Sequence, residues 1–88
     1  MAAAARCAKR RFGLERILIV DWDVHHGDGT VQITREDPSI LYISLHNFTP
    51  GFYPGSGAPS DTGGMPNQTV NIGWTHEGMG DSEYLYAF

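Results

Sequence analysis

Apolar residues gather in three short runs, and most of the chain between them is polar or rich in glycine. The first run, Ile17 to Val20 within "RILIVDW", is continuous rather than alternating. A run of that length predicts a strand at residues 16–22 with both faces buried, as in a parallel sheet. "ILYISL" predicts a second buried strand at 40–45, and "TVNIGW" a third at 69–74. Ahead of them, residues 2–12 consist mainly of strong helix formers, with Gly13 as a stop signal. Residues 30–36 suit a short helix ended by Asp37-Pro38, because the residue before proline avoids helical geometry. Asp81 or Ser82 offers an N-cap for a last helix at 81–88.

Helices alternating with strands indicate an α/β fold with a mainly parallel sheet. Residues 46–68 hold Gly51, Gly55, Gly57, Gly63, Gly64 and four prolines, so they read as one long loop. Loops of that length in compact domains are usually functional or disordered. Two or three parallel strands leave sheet faces and edges bare, so the chain is expected to be a fragment of a larger domain. Its 88 residues point the same way, since a fold this small buries only ~60% of its unfolded surface.

Composition removes several functions. Cys7 is the single cysteine, which excludes an internal disulfide and fits a reducing compartment. The net charge is −4, and five of the six basic residues (Arg6, Lys9, Arg10, Arg11, Arg16) lie near the start. That leaves no basic surface for phosphate backbones, so direct nucleic-acid binding is not expected. No apolar run approaches the ~20 residues of a membrane span. The Ala- and Arg-rich start has the composition of a transit peptide, but it lacks serine, and a helix is the preferred reading.

The chemistry concentrates where the first strand ends, in "ILIVDWDVHHGDGT". Asp21, Asp23 and His25 are spaced by two, so they share one side of an extended chain. Ligands of open α/β sheets bind beyond the carboxyl ends of strands. Carboxylate plus imidazole suits zinc or a similar divalent ion, and Gly27 and Gly29 let the backbone turn and approach closely. Spacing alone leaves a second reading open, a polar loop at 23–29 whose histidines are merely hydrogen-bonded.

"DWDVHHGDGT" followed by "DPSILYISLH" resembles the zinc-dependent histone deacetylase family, whose members share the three-layer α/β/α arginase/deacetylase fold. "FYPGSGAP" and "GDSEYLYAF" look like class II members, whereas "TPGFYPG" and Asp28 look more like class I. The resemblance covers nearly the whole chain and implies a partial catalytic domain, class II-like. It implies that Asp23 and His25 are two of three zinc ligands, and that Asp21 and Asp28 support catalytic histidines which this chain lacks. It also implies a structural potassium site at Asp21, Asp23, His25, Ser44 and Leu45, and a substrate-tunnel wall at Tyr53. His26 is expected to face away from the pocket, and His46 to be a packing or hydrogen-bonding residue. Val31 and Thr34 stand where relatives usually carry Gln and an aromatic, on a helix face that normally packs.

The implied activity is hydrolysis of N-acetyl-lysine in histones or other proteins by the parent domain. The implied setting is a corepressor-type complex in the nucleus or cytoplasm, with no membrane association. Two alternatives stand beside it: an inactive fragment or pseudoenzyme that acts by binding, and an amidohydrolase of the same fold acting on acetylpolyamines or other small amides.

Overall fold

The computed structural model describes residues 1–66 and 68–88. Asn67, within the predicted loop 46–68, lies outside the described residues. In chain order the elements are α1 (Ala2–Phe12), β1 (Ile17–Asp21), α2 (Asp28–Thr34), β2 (Ile40–Asn47), β3 (Thr69–Trp74) and α3 (Asp81–Ala87). The three strands form one parallel sheet in the order β1-β2-β3. Among the described residues no strand lies beyond β1 or β3, so each is an outer strand.

α1 ends where Gly13 takes a left-handed conformation at φ +64°. Lys9, Arg10 and Arg11 occupy its last turn, where positive charge complements the helix dipole. Lys9 also ties the helix to the turn before β2 through Asp37 (2.9 Å) and the Ser39 hydroxyl. The Ser39 hydroxyl's hydrogen bond, followed by the Lys9 contact, holds the Asp37 carboxyl down at about 2.

α1 and α2 cover one face of the sheet. Ala5, Val31, Ile19, Ile40 and Tyr42 form the core there, with Ile17 packed against it. Val31 and Thr34 are both buried, so α2 packs against the sheet through these two positions. The Gln68 amide reaches across to donate to the carbonyls of Thr34 (2.8 Å) and Asp37 (2.6 Å), closing the C-terminal end of α2.

The structure departs from the sequence expectations at four points. β1 is not buried on both faces: Leu18 is 55% exposed, because its side of the sheet meets only the end of α3. β2 continues through His46 and Asn47, which the sequence assigned to the loop, because Asn47 N–H donates to Val24 O (2.8 Å) and pairing with β3 extends to Trp74. α2 starts at Asp28 and stops at Thr34, two residues earlier at each end than predicted. α3 is capped by Gly80 rather than Asp81 or Ser82; Glu83 reaches back to accept the Gly80 N–H (2.8 Å), which lowers its carboxyl pKa.

Candidate metal centre

The parallel register decides what meets at the end of β1. Asp21 lies opposite Ser44, with Tyr42 one pleat earlier on the same face. Tyr42 is fully buried, and its hydroxyl donates to Asp21 Oδ2 (2.9 Å). Burial, with Asp21 beside it, pushes the phenol up to about 12. The other Asp21 oxygen accepts the Asp23 backbone N–H (3.2 Å). Gly27 passes directly over this pair: a Cβ there would collide with the Tyr42 hydroxyl and meet Asp21 Oδ2 at 3.1 Å. Glycine at 27 is therefore a steric requirement.

Beyond Asp21 the chain leaves the strand and turns twice on its own carboxylates. Asp23 Oδ1 accepts the His25 backbone N–H (2.8 Å) and lies 3.1 Å from His25 Nδ1. The His25 backbone N–H, more than its imidazole, holds the Asp23 carboxyl below the usual range. Both side chains are open to solvent. Two donors of a tetrahedral zinc centre, at bond lengths of ~2.0–2.1 Å, sit ~3.3 Å apart. The Asp23–His25 pair has nearly that separation and the right donor types, so it fits a zinc-like ion as two of its ligands. Among the described residues no cluster of three or more His, Cys, Asp or Glu could hold a metal alone. For a harder cation, Asp21 and the buried Ser44 put a carboxylate and a hydroxyl side by side, with the buried Leu45 next along β2. Asp28 stands apart in the first turn of α2, exposed, its Oδ1 accepting Gly29 N–H (2.8 Å).

The two adjacent histidines part company. The His25 ring stacks on Phe52 (centroids 5.1 Å, planes 20° apart) and meets Tyr53 edge-on at 6.3 Å. Tyr53 is 75% exposed and free to form a wall. His26 is buried beneath the loop, bonded through Nδ1 to Ser56 Oγ (2.8 Å) and packed on His46 at 4.8 Å. Fully buried, His46 bridges Ser44 Oγ (2.9 Å) and Gly57 O (2.9 Å), a hydrogen-bonding residue as the sequence suggested. Desolvation lowers the pKa of both imidazoles, which keeps them neutral near pH 7.

Sequence reading singled out neither Phe52 nor Tyr42. Tyr42 was legible: a tyrosine in a buried strand needs a partner for its hydroxyl, and strand parity places it on the Asp21 side. Phe52 had no comparable signal, since only the path of the loop brings it to His25.

A model of the histone deacetylase domain matches residues 1–88. The chain is 47% identical to histone deacetylase 15 of Arabidopsis thaliana, covering 99% of this chain and 16% of that protein. It is 50% identical to the rat (Rattus norvegicus) polyamine deacetylase HDAC10, over 100% of this chain and 16% of that one. The solved structure of the histone deacetylase Clr3 superposes with a TM-score of 0.91 at 47% identity, covering 99% of this chain and 16% of that one. The chain thus spans about one-sixth of the length of these relatives.

Proposed function

Because the chain belongs to the histone deacetylase family, we propose that it forms the metal-binding wall of a domain that hydrolyses the acetyl amide of lysine side chains. The observation that carries this reading is the Asp23–His25 pair, 3.1 Å apart just past the carboxyl end of a parallel strand. These two residues would hold a zinc ion, with the remaining ligand supplied from elsewhere in the domain. When bound, such an ion supplies Lewis-acid polarisation of the acetyl carbonyl and acidifies water towards a pKa of ~7.

The chain's own residues then have separable tasks. Asp21, fixed by Tyr42 and by the Asp23 backbone, is preorganised to orient an imidazole and to stabilise it once protonated. Asp28, at the start of α2, does the same for a second imidazole. Asp21, Asp23, His25, Ser44 and Leu45 would hold a potassium ion that stiffens the same turn. Tyr53, with Phe52 behind it on His25, packs against the methylenes of an extended lysine and directs its amide to the metal end of β1. An acetylated histone or other acetyl-lysine protein is the substrate of this reading, met in a corepressor-type complex of the nucleus or cytoplasm.

A second substrate class is supported by the 50% identity to a polyamine deacetylase: an acetylated polyamine presents the same amide on a flexible alkyl stem. The test uses the full-length protein that contains this chain. It should deacetylate an acetyl-lysine peptide, lose activity to a chelator and regain it with zinc. Asp23→Asn should cost more than the ~10–100-fold typical of losing an outer-shell partner. Preference for acetylspermidine over the peptide would select the second reading, and turnover unaffected by chelator would overturn both.

A further inference from the structure

The segment between β2 and β3 returns to the residues just past β1 at two points and to β2 at a third, and at the first two a pair of adjacent residues holds it from opposite sides. His25 faces outward and receives the Phe52 and Tyr53 rings. His26 points inward and fastens Ser56 by a 2.8 Å hydrogen bond. The next residue, Gly57, is fixed through its carbonyl to His46 Nε2 at 2.9 Å. Gly57 has φ +87°, and a Cβ on it would lie 2.5 Å from His46 Nε2 and 2.6 Å from the His26 ring. The backbone thus runs pressed against both imidazoles, which pack on each other at 4.8 Å. His46 is in turn anchored to Ser44 of β2 at 2.9 Å.

We propose that His26, His46 and Ser56 are positioning residues that set where the Phe52–Tyr53 turn stands relative to His25, and thereby the width of the mouth through which an acylated amine reaches the metal end of β1. The inference rests on the deacetylase reading for its substrate, but not for its geometry. Only Pro54 and Gly55 separate Tyr53 from Ser56, so a shift at Ser56 is transmitted to the aromatic turn with little slack. None of the three residues is asked to touch substrate or metal. Their effect falls on how well the alkyl stem is gripped.

The experiment compares the full-length protein with Ser56→Ala, His26→Phe and His26→Asn. Phenylalanine keeps the buried ring and removes the hydrogen bond, whereas asparagine keeps a polar atom near the Nδ1 position. Losing one such hydrogen bond should raise KM for an acetylated substrate about fivefold in Ser56→Ala and His26→Phe. The proposal expects kcat and bound zinc to hold steady, and His26→Asn to recover most of the loss. An unchanged KM in both hydrogen-bond deletions would overturn it, as would a fall in kcat in step with lost zinc. A readout independent of turnover is the NMR shift of the His25 ring protons, which the stacked Phe52 ring displaces in the wild type. That displacement should shrink in Ser56→Ala and return in His26→Asn. Should the wild-type protein turn over no acetylated amine, the deacetylase reading fails, and this NMR comparison alone decides the positioning role. His25 shifts insensitive to Ser56→Ala would then refute it.

Discussion

Replacing Gly57 by alanine should be among the most damaging single-methyl changes available to this fold. Two costs add. Holding a residue with a Cβ at φ +87° costs about 1–2 kcal/mol. The new methyl would also lie 2.5–2.6 Å from His46 Nε2 and the His26 ring, and forcing extra volume into a packed site costs about 1–3 kcal/mol. Together these give about 2–5 kcal/mol, against a total stability of about 4–13 kcal/mol for a chain of 88 residues. Gly51 provides the internal control. It has nearly the same φ, +83°, but nothing lies within 4 Å of its Cβ position, so Gly51→Ala carries only the backbone term of about 1–2 kcal/mol. Urea unfolding of both variants, with the slope held common, should place Gly57→Ala at least about 1 kcal/mol below Gly51→Ala. Equal midpoints would refute the close approach of this loop to the two histidines.

Two further outcomes follow from the same packing. The Tyr42 phenol is held at about 12 against an ordinary 10.0, so its contribution to stability is complete below pH 10.0 and disappears as pH rises through about 12. Denaturant midpoints over that interval should fall more for the wild type than for Tyr42→Phe, and parallel curves would refute the buried Tyr42–Asp21 bond. The 88-residue chain alone should bind zinc far more weakly than the ~10–16 kcal/mol of complete structural sites, because Asp23 and His25 supply only two ligands; a tight one-to-one isotherm in calorimetry would count against the two-ligand reading.

The strands and the site were legible in the chain to different depths. Apolar-rich stretches gave all three strands, although only Ile17–Val20 is a continuous aliphatic run. The same logic overstated the burial of β1, because a run of Ile, Leu, Ile and Val records a potential for burial, while Leu18 here meets little of the molecule. Period-two spacing placed Asp21, Asp23 and His25 on one side, yet the structure divides them. Asp21 is still in the strand and faces Tyr42, whereas Asp23 and His25 sit in a turn made by their own side chain–backbone bonds. The opposed directions of His25 and His26 were expected from strand alternation, although the structure produces them in a turn beyond the strand. What His26 meets did not, because Ser56 is thirty residues away and arrives by a glycine-rich path whose shape no local pattern encodes.

The outer margins of β1 and β3 carry a practical consequence. Each offers a row of amides and carbonyls that water satisfies in dilute solution, next to a stripe of Leu18, Val20 and Val70 that water does not favour. As the concentration rises, a second copy can satisfy both needs at once by adding its own strand alongside. That addition exposes a fresh margin each time, so growth has no natural stopping point. The 88-residue polypeptide should therefore stay dispersed in dilute solution, whereas concentrated samples should form open-ended aggregates rather than dimers, and an unrelated strand supplied in excess should slow their growth.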